Sequence, residues 1–195
     1  MLGDKKRKIQ REKIFYEVDL NEGIDLGIFL NIKNEKKIIN VRKLLKNQTQ
    51  TTIIDVGSNV GSVALPLSKF FNKSFIFAIE PTVYAYKKLK KKINLNLNLK
   101  KRIKALNYFI SNKSSKVKYA HSSWNFNKKN KRYSIHLGSL KKIIQNNTIS
   151  LDKLIAKEGR KVKFIKIDVD GYELDVLKSA TKSIKKFKPI IHIEF

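Results

Sequence analysis

The sequence predicts an α/β fold in which helices cover both faces of a mostly parallel sheet. Thr52–Val56 is an apolar, β-branched run that ends at a glycine, and apolar residues then recur at helical spacing from Val63 to Phe71. The apolar runs Phe75–Ile79 and Val162–Val169 are also followed by helical patterns. Strands that alternate with helices along the chain are typical of parallel sheets, whose ligands bind at the carboxyl ends of the strands.

The N-terminal part of the chain is predicted to lead into a single domain. With 195 residues the chain is long enough for one sizeable core and too short for two ordinary domains. Residues 1–50 are therefore expected to be a lead-in, and residues 51–195 the domain. Residues 1–13 are expected to be a solvated basic arm, and residues 15–32 a hairpin whose turn contains Gly23.

The remaining elements follow from the same periodicities. Apolar residues recur at steps of three, three and four from Leu174 to Ile184, which describes an amphipathic helix. Ser150 is placed to cap the helix that follows it. In chain order, the other predicted elements are a helix over residues 34–45, a helix over 84–97 with an ambiguous alternation at 94–99, a third core strand over 103–111, a short strand at 117–119, and a last strand over 190–195.

A long polar stretch from His121 to Asn147 is expected to shape the pocket of the substrate. Long loops in compact domains are often lids or binding loops. Trp124 in this stretch is interpreted as an anchor of the loop, with a sugar-stacking platform as the alternative. The histidines of the stretch, His121 and His136, are expected at the surface.

The first core strand ends in an elbow with the pattern D-x-G-x-x-x-G. A strand, a glycine elbow and a helix make a site where backbone N–H groups face a ligand. The pattern differs from the G-x-G-x-x-G that crowds the backbone against a pyrophosphate. A carboxylate there repels pyrophosphate but suits a cationic group such as the amino end of S-adenosylmethionine. A plain strand-to-helix turn is the alternative. The residues expected to bind the cofactor here are Asp55, Gly57, Ser58, Asn59 and Gly61.

Glu80 favours the cofactor interpretation over the plain turn. It follows the strand Phe75–Ile79 and places a carboxylate at the tip of an adjacent strand, where it can accept two hydrogen bonds from a ribose diol. Asp168 is expected near the cofactor because its strand adjoins the first. Ser111, at the end of the predicted third strand, completes the expected cofactor-binding residues.

Five segments of the chain carry a family resemblance. IIDVGSNVG, FAIEP, ISLDKLI, FIKIDVDGYELDVLKSA and KPIIHIEF, in this order and spacing, resemble the FkbM family of S-adenosylmethionine-dependent methyltransferases from about residue 51 onward. The resemblance implies a Rossmann-like class I methyltransferase fold and methylation of a hydroxyl on a sugar, a glycan or another small molecule. Family members continue past the IIHIEF strand, so the sheet is expected to lack its last strands.

Methyl transfer to oxygen needs a base that helps to remove the hydroxyl proton. Asp170 and Glu194 are expected on the acceptor side as the catalytic residues. Asp168 and Asp170 are predicted to share one side of an extended segment, as are His192 and Glu194. Glu173 is equally well explained as a first-turn helix carboxylate, and His192 is interpreted as a packed strand residue.

Composition limits the chemistry and the partners. The chain has no cysteine, so it has neither disulfides nor a thiolate metal site. The carboxylates of Asp168, Asp170 and Glu194 could hold a hard cation, but no spacing demands one and no metal is predicted. No apolar run approaches the length of a membrane span, and the N-terminus lacks the apolar core of a signal peptide. A cytoplasmic protein is expected.

The net charge of +27 is concentrated in one segment. Residues 81–151 contain 16 lysines, 2 arginines and no acidic residue. This run predicts a positive face that binds anions weakly and nonspecifically. A compositional origin is favoured over a nucleic-acid site, because the chain is rich in Lys, Asn and Ile, and lysine lacks the planar fork that arginine offers to phosphate and guanine.

Two other functions remain open at this stage. Charge alone suggests a nucleic-acid methyltransferase, but Asp168–Gly171 stands where enzymes that methylate base amino groups usually carry an Asn/Asp-Pro-Pro-aromatic turn. A truncated cofactor-binding remnant without turnover is the third possibility. An uncovered apolar strand over residues 190–195 would also be a template for self-association.

Overall fold

A five-stranded parallel sheet organises the molecule. The computed structural model describes residues 5–32, 41, 43–45, 50–112, 119–122, 139–143 and 147–194. The strands are β1 (Lys6–Arg11), β2 (Ile14–Asp19), β3 (Thr52–Val56), β4 (Phe75–Ile79), β5 (Ile103–Leu106), β6 (Phe109–Ile110), β7 (Tyr119–Ser122), β8 (Ser139–Lys142), β9 (Thr148–Ile149), β10 (Val162–Ile167) and β11 (Ile190–Ile193). The helices are α1 (Gly23–Phe29), α2 (Ala64–Phe70), α3 (Val83–Asn94), α4 (Leu97–Lys100), α5 (Leu151–Glu158), α6 (Glu173–Ser179) and α7 (Thr181–Phe187). The parallel sheet has the order β11–β10–β3–β4–β5, with β3 at its centre.

Each face of the parallel sheet has its own core. Successive residues of a strand point to opposite faces. Ile53 belongs to the same buried cluster as Leu65 of α2 and Leu89 of α3, whereas Ile54 belongs to a cluster with Leu154 of α5. Every residue of β3 is buried. Helices therefore cover both faces, as the apolar character of the central strands predicts.

Local sequence signals set the bounds of the central elements. β3 and β4 begin and end at the residues predicted for them. α5 begins after Ser150, whose hydroxyl accepts a hydrogen bond from the Lys153 backbone N–H at 3.2 Å, as the capping prediction requires. β10 and β11 also lie within their predicted runs.

The N-terminal segment differs from the prediction. Lys6–Arg11, expected in a solvated arm, is strand β1 and pairs with β2 in antiparallel register. The turn of this hairpin consists of Glu12 and Lys13, which have φ values of 47° and 62°. Neither residue type favours a positive φ, so the sequence does not mark this turn. Gly23–Phe29, expected in a hairpin turn and a strand, is helix α1.

Two lysines of α3 hold α1 in place. Asp25 of α1 is fully buried, and its carboxylate lies 2.8 Å from Lys92 Nζ and 2.6 Å from Lys88 Nζ. Glu22, also fully buried, lies 3.0 Å from Lys88 Nζ. Burial lowers the pKa of Lys92, but at Lys88 the two carboxylates outweigh burial and raise the pKa. Part of the positive charge of residues 81–151 is thus neutralised inside the fold.

The predicted third strand is two strands. Only β5 joins the parallel sheet, whereas Phe109–Ile110 pairs with β9 in a separate two-stranded sheet. Asn107, between them, donates from Nδ2 to the carbonyl oxygens of Glu80 at 2.7 Å and Pro81 at 2.9 Å. This side chain ties the end of β5 to the end of β4 at the point where the chain leaves the sheet.

The predicted helix from Leu174 to Ile184 is also divided. α6 and α7 meet at Ala180, whose φ of −111° interrupts the helical path. Leu174 is 61% exposed, so the buried face of α6 does not include it. Val176 occupies the core instead.

Several predicted features lie wholly or mostly outside the described residues. These are the basic residues 1–4, most of the helix over 34–45, the start of the strand at 117–119, and most of the polar stretch, including Trp124 and His136. Val41 and Leu45, which are described, are buried in the core. β11 lies at the edge of the parallel sheet and its residues are only partly buried. Self-association through this edge stays a prediction.

Candidate active site

A row of charged side chains crosses one face of the sheet near the carboxyl ends of its strands. Lys166 of β10 pairs in register with Asp55 of β3 on one side and with His192 of β11 on the other. Asp168 and Glu194 lie two residues further along their segments and continue the same face. The parallel register thus brings together three of the acids predicted for the site.

Lys166 is the centre of this row. It was not among the site residues predicted from the sequence. Its side chain is only 3% exposed, and Nζ lies 3.3 Å from Asp55, 3.0 Å from Asp168 and 3.9 Å from Glu194. Burial opposes the charge on Lys166, but the three carboxylates outweigh it and raise the pKa of the ammonium above its usual range. A lysine inside a strand otherwise buried on both faces was the available signal, because such a lysine needs acidic partners.

Asp55 lies at the bottom of the site. It is fully buried, and the ammonium of Lys166 neutralises it from within the protein. Neither carboxylate oxygen accepts a hydrogen bond from a described residue. Both oxygens therefore keep unused acceptor capacity beside the elbow.

The elbow uses its backbone N–H groups within the protein. The amides of Gly57 and Ser58 donate to the carbonyl oxygen of Ile79 at 3.0 and 2.9 Å, and the amide of Gly61 donates to the carbonyl oxygen of Ser58 at 2.8 Å. The Asn59 amide donates to Glu80 Oε2 at 3.0 Å. The expectation that these groups face a ligand is therefore wrong for all four, because the end of β4 takes up three of them.

The two elbow glycines are required by close packing. Gly57 has a φ of 82°, and a Cβ atom at this position would lie 1.8 Å from the Asp168 carbonyl oxygen. Gly61 has a φ of 89°, and a Cβ atom there would lie 2.8 Å from Leu89 of α3. Gly57 thus lets β3 and β10 approach at their ends, and Gly61 lets α3 approach the elbow.

Glu80 closes the elbow from the adjacent strand. It is 4% exposed, and its carboxylate accepts hydrogen bonds from the Asn59 amide and from the amide and hydroxyl of Thr82. Burial is the largest influence on this group. Against the hydrogen bonds, and with help from the negative charge of Asp55, burial raises the pKa of Glu80 to about 7. The carboxyl group thus titrates near neutral pH.

The other predicted residues occupy different positions. Asp170 has a φ of 50° and Gly171 one of 99°, so the chain turns after Asp168 and the expected shared side of Asp168 and Asp170 is wrong. Glu173 accepts hydrogen bonds from the amides of Val169 at 3.3 Å and Gly171 at 3.1 Å, which holds this turn. This contact favours the structural interpretation of Glu173.

Ser111 and the histidine of β11 complete the set. Ser111 is buried, and its amide donates to the Ile149 carbonyl oxygen in the small sheet of β6 and β9. It does not follow the end of the third core strand, because that strand ends at Leu106. His192 is partly buried, with Nε2 3.7 Å from Glu194 Oε1.

The elbow has several acceptors that lack a hydrogen-bond partner among the described residues. Besides the two oxygens of Asp55, the buried Asn59 Oδ1 accepts no hydrogen bond from the described residues. An ammonium group and ribose hydroxyls are donors, so these residues fit S-adenosylmethionine. They do not fit a pyrophosphate, which would bring further acceptors and negative charge.

Neither a metal cluster nor a membrane helix is found in the part of the chain that the structure describes. There, no three histidine or acidic side chains converge as metal ligands would. The ammonium of Lys166 supplies the positive charge between Asp168 and Glu194. No helix among the same residues is long and apolar enough to cross a membrane.

Comparison with known proteins places this geometry in a family. Residues 55–195 match the model of the Methyltransferase FkbM domain. The hexuronic acid methyltransferase AglP of Haloferax volcanii is 28% identical over 163 residues, which are 83% of this chain and 62% of the relative. The chain therefore spans less than two thirds of the length of the curated relative that it matches.

One solved structure supports the fold. The METTL16 methyltransferase domain superposes with a TM-score of 0.50 and 17% identity, over 91% of this chain and 55% of that chain. TYW2 from M. jannaschii, solved in complex with AdoMet, covers 63% of this chain and 50% of that chain, with a TM-score of 0.42 and 14% identity. The predicted Rossmann-like class I methyltransferase fold is confirmed.

The close approach at Gly57 predicts a large effect of a single methyl group. Gly57→Ala should lower the free energy of unfolding by about 2–5 kcal/mol, because the Cβ atom must displace the end of β10 and the residue must keep a positive φ. Gly159→Ala is the matched control. It has a φ of 63° but no atom within 4 Å of the added Cβ, so it should cost about 1 kcal/mol. Urea denaturation measures both, and equal losses would contradict the packing argument.

Proposed function

Because the chain belongs to the FkbM methyltransferase family, we propose that it is an S-adenosylmethionine-dependent O-methyltransferase that acts on a hydroxyl of a sugar, a glycan or another small molecule. The observation that carries this proposal is the acceptor-rich elbow beside the row of Asp55, Lys166, Asp168 and Glu194. AglP supports a sugar acceptor, since its name describes methylation of a hexuronic acid. A hexuronic acid offers hydroxyl oxygens that can accept a methyl group.

The elbow residues would hold the cofactor by accepting its hydrogen bonds. Glu80 is suited to the ribose hydroxyls, and the free acceptors of Asp55 and Asn59 to the amino group. Gly57, Ser58 and Gly61 would shape the floor of the site, and Asp168 one wall. Ser111 is a further proposed contact of the cofactor. When bound, S-adenosylmethionine supplies a methyl group on a positively charged sulfur, which an oxygen nucleophile can attack.

The acceptor hydroxyl needs a base, and Glu194 and Asp170 are the proposed residues. Glu194 is 23% exposed at its side chain, so it can meet a substrate while it stays near Lys166. The ammonium of Lys166 lies 3.9 Å from Glu194 Oε1, and an ionised carboxylate is the form that can take a proton. We assign Lys166 as a positioning residue, because it contacts Asp55, Asp168 and Glu194 together.

The nucleic-acid alternative has less support. Several lysines of the acid-free run have acidic partners: Lys88 and Lys92 pair with α1, Lys91 lies 2.6 Å from Glu17, and Lys104 lies 2.7 Å from Glu158. Such pairs reduce the charge available to a polyanion. Weak, salt-sensitive anion binding by this run remains a prediction.

Methyl transfer itself tests the proposed function. The chain is incubated with S-adenosylmethionine and with a hexuronic acid glycoside or the matching neutral hexose glycoside, and mass spectrometry detects the added methyl group. A general base contributes about 10²–10⁴-fold, so Glu194→Gln or Asp170→Asn should lower kcat by about 100-fold or more, whichever residue is the base. Glu158→Gln, on α5 and outside the candidate site, is the control and should keep full activity. Full activity in both site variants would refute the assignment of the base.

The charge of Lys166 should act on both stability and the pH profile. Lys166→Met leaves the fully buried Asp55 without its cation and should cost about 3–5 kcal/mol in the free energy of unfolding. The second change Asp55→Asn should recover part of this loss. Lys163→Met, in the same strand, is the control and should have little effect.

A purely structural lysine would not move the pH profile. Without the ammonium, the acidic limb of kcat/KM should shift to higher pH in a Lys166→Met variant measured below its unfolding temperature, because a nearby cation favours the carboxylate form of a general base. An unshifted limb would mean that Lys166 does not act on the base.

The raised pKa of Glu80 predicts pH-dependent cofactor binding. Ribose hydroxyls are donors, so they bind best to the ionised carboxylate. Affinity for S-adenosylhomocysteine should therefore fall as the pH drops below about 7, approaching tenfold per pH unit. In Glu80→Gln the affinity should be lower and should not change over this interval. Calorimetric titration between about pH 5.5 and pH 8 measures this, and a pH-independent affinity in the unmodified chain would exclude Glu80 as the ribose ligand.

The ligand-free protein should show the opposite trend in stability. Burial raises the pKa of Glu80 from 4.5 to about 7. The protonated carboxyl group therefore contributes to the free energy of unfolding fully below pH 4.5, and this contribution is lost as the pH rises through 7. Bound cofactor should reverse this trend. The opposite pH dependences of stability with and without bound cofactor distinguish Glu80 from groups whose protonation only destabilises the protein in acid.

A further inference from the structure

A cavity lies at the amino ends of the strands of the parallel sheet, opposite the candidate active site. Its volume is about 340 Å³, within the range of small-molecule pockets. Thr52 and Phe75, the first residues of β3 and β4, line it, and so do residues that immediately precede β5 and β10. A strand of five residues is roughly 17 Å long, so a ligand here is remote from the elbow and the charged row.

The lining of this cavity is strongly basic. Lys73, Arg102, Arg160 and Lys161 contribute four positive charges from three separate loops, and none of the described residues that line the cavity is acidic. None of these cations except Arg102 belongs to the acid-free run 81–151. The positive potential here thus results from the fold, because the parallel strands bring three loops that are distant in sequence together at their amino ends.

Both arginines in the described lining of the cavity are held in place. The Arg102 guanidinium donates from Nη1 to the Ser68 carbonyl oxygen at 2.7 Å and to that of Phe71 at 3.3 Å. The Arg160 guanidinium lies over the Phe75 ring, 4.0 Å from its centroid. A preordered cation loses less freedom when an anion binds than a free surface chain does.

A buried hydroxyl at the cavity is without a partner. Ser74 is 1% exposed, and its Oγ has no hydrogen-bond partner among the described residues. A buried hydroxyl without a partner is uncommon and destabilising. A ligand oxygen is the partner that its position in this lining offers.

We propose that this cavity binds the phosphate group of a small phosphorylated molecule. A phosphate carries up to two negative charges and several acceptor oxygens, which match four cations and a donor hydroxyl. A carboxylate would use fewer of these groups. The cavity exceeds the size of a lone phosphate, so it leaves space for the molecule that carries it, against Phe75. This site is independent of the proposed methyl transfer.

Calorimetric titration of the full chain tests the site, with ribose 5-phosphate as the probe, ribose as the uncharged control, and constant ionic strength. We expect saturable binding of the phosphate ester alone. Arg160→Gln/Lys161→Gln should weaken it by about tenfold or more, because charge-assisted contacts are lost. Lys185→Gln/Lys186→Gln on α7 is the matched control: it removes the same charge, including a lysine 5.2 Å from a phenylalanine ring, and should change the affinity less than twofold.

Ser74→Ala separates a site from a charged surface. It should weaken binding by roughly three- to tenfold and leave the unfolding midpoint unchanged or higher, since the hydroxyl has no partner to lose. Vesicles that contain phosphatidic acid distinguish a lipid headgroup from a soluble ester. The proposal is overturned by the absence of saturable binding, by equal losses in the two double variants, by an unchanged affinity in Ser74→Ala, or by binding to the vesicles alone.

Discussion

The candidate site depends on one buried cation. Lys166 lies between the carboxylates of Asp55, Asp168 and Glu194, which come from three adjacent strands or their ends. Three carboxylates around one point would repel one another, and the ammonium of Lys166 offsets that repulsion. The lysine also ties β10 to both of its neighbours.

The same charge balance extends to the elbow. Asp55 is buried next to Lys166, and its negative charge contributes to the raised pKa of Glu80, which directly follows β4. Glu80 in turn accepts the Asn59 amide, while the Ile79 carbonyl oxygen accepts the amides of Gly57 and Ser58. Hydrogen bonds from these elbow amides thus connect the elbow to the end of the adjacent strand, and the acceptors of Asp55 and Asn59 have no hydrogen-bond partner among the described residues. This polarity suits a cationic, hydroxyl-bearing ligand and opposes a phosphate-bearing one.

The carboxyl ends and the amino ends of the sheet strands have opposite electrostatic character. Acids gather at the carboxyl ends of the strands, where the predicted cofactor and acceptor sites lie. Lys73, Arg102, Arg160 and Lys161 gather at the amino ends. Elsewhere the excess positive charge is partly neutralised, since Lys88 and Lys92 pair with the buried carboxylates of Glu22 and Asp25. The net charge of +27 is therefore not one uniform positive surface.

Local patterns in the sequence predicted the central elements well. β3 and β4 have the predicted bounds because β-branched runs ending at Gly57 and at Glu80-Pro81 leave little alternative. The first hairpin was misplaced because its turn forces positive φ values on Glu12 and Lys13, which no local preference marks. The third strand was overextended because the Asn107 side chain, through contacts with Glu80 and Pro81, separates β5 from β6.

By itself, the sequence determined the fold class, the family and the set of acids at the strand ends, because periodicity and motif spacing are local properties of the chain. The tertiary structure alone decided what those residues do to one another. Lys166 gains its role from the register that sets it opposite Asp55 and His192. The amides of Gly57 and Ser58 donate to the carbonyl oxygen of Ile79 and are therefore not available to a ligand. The basic cavity exists only where three loops meet. Each of these depends on contacts between distant segments, whose energies of burial and charge no local pattern contains.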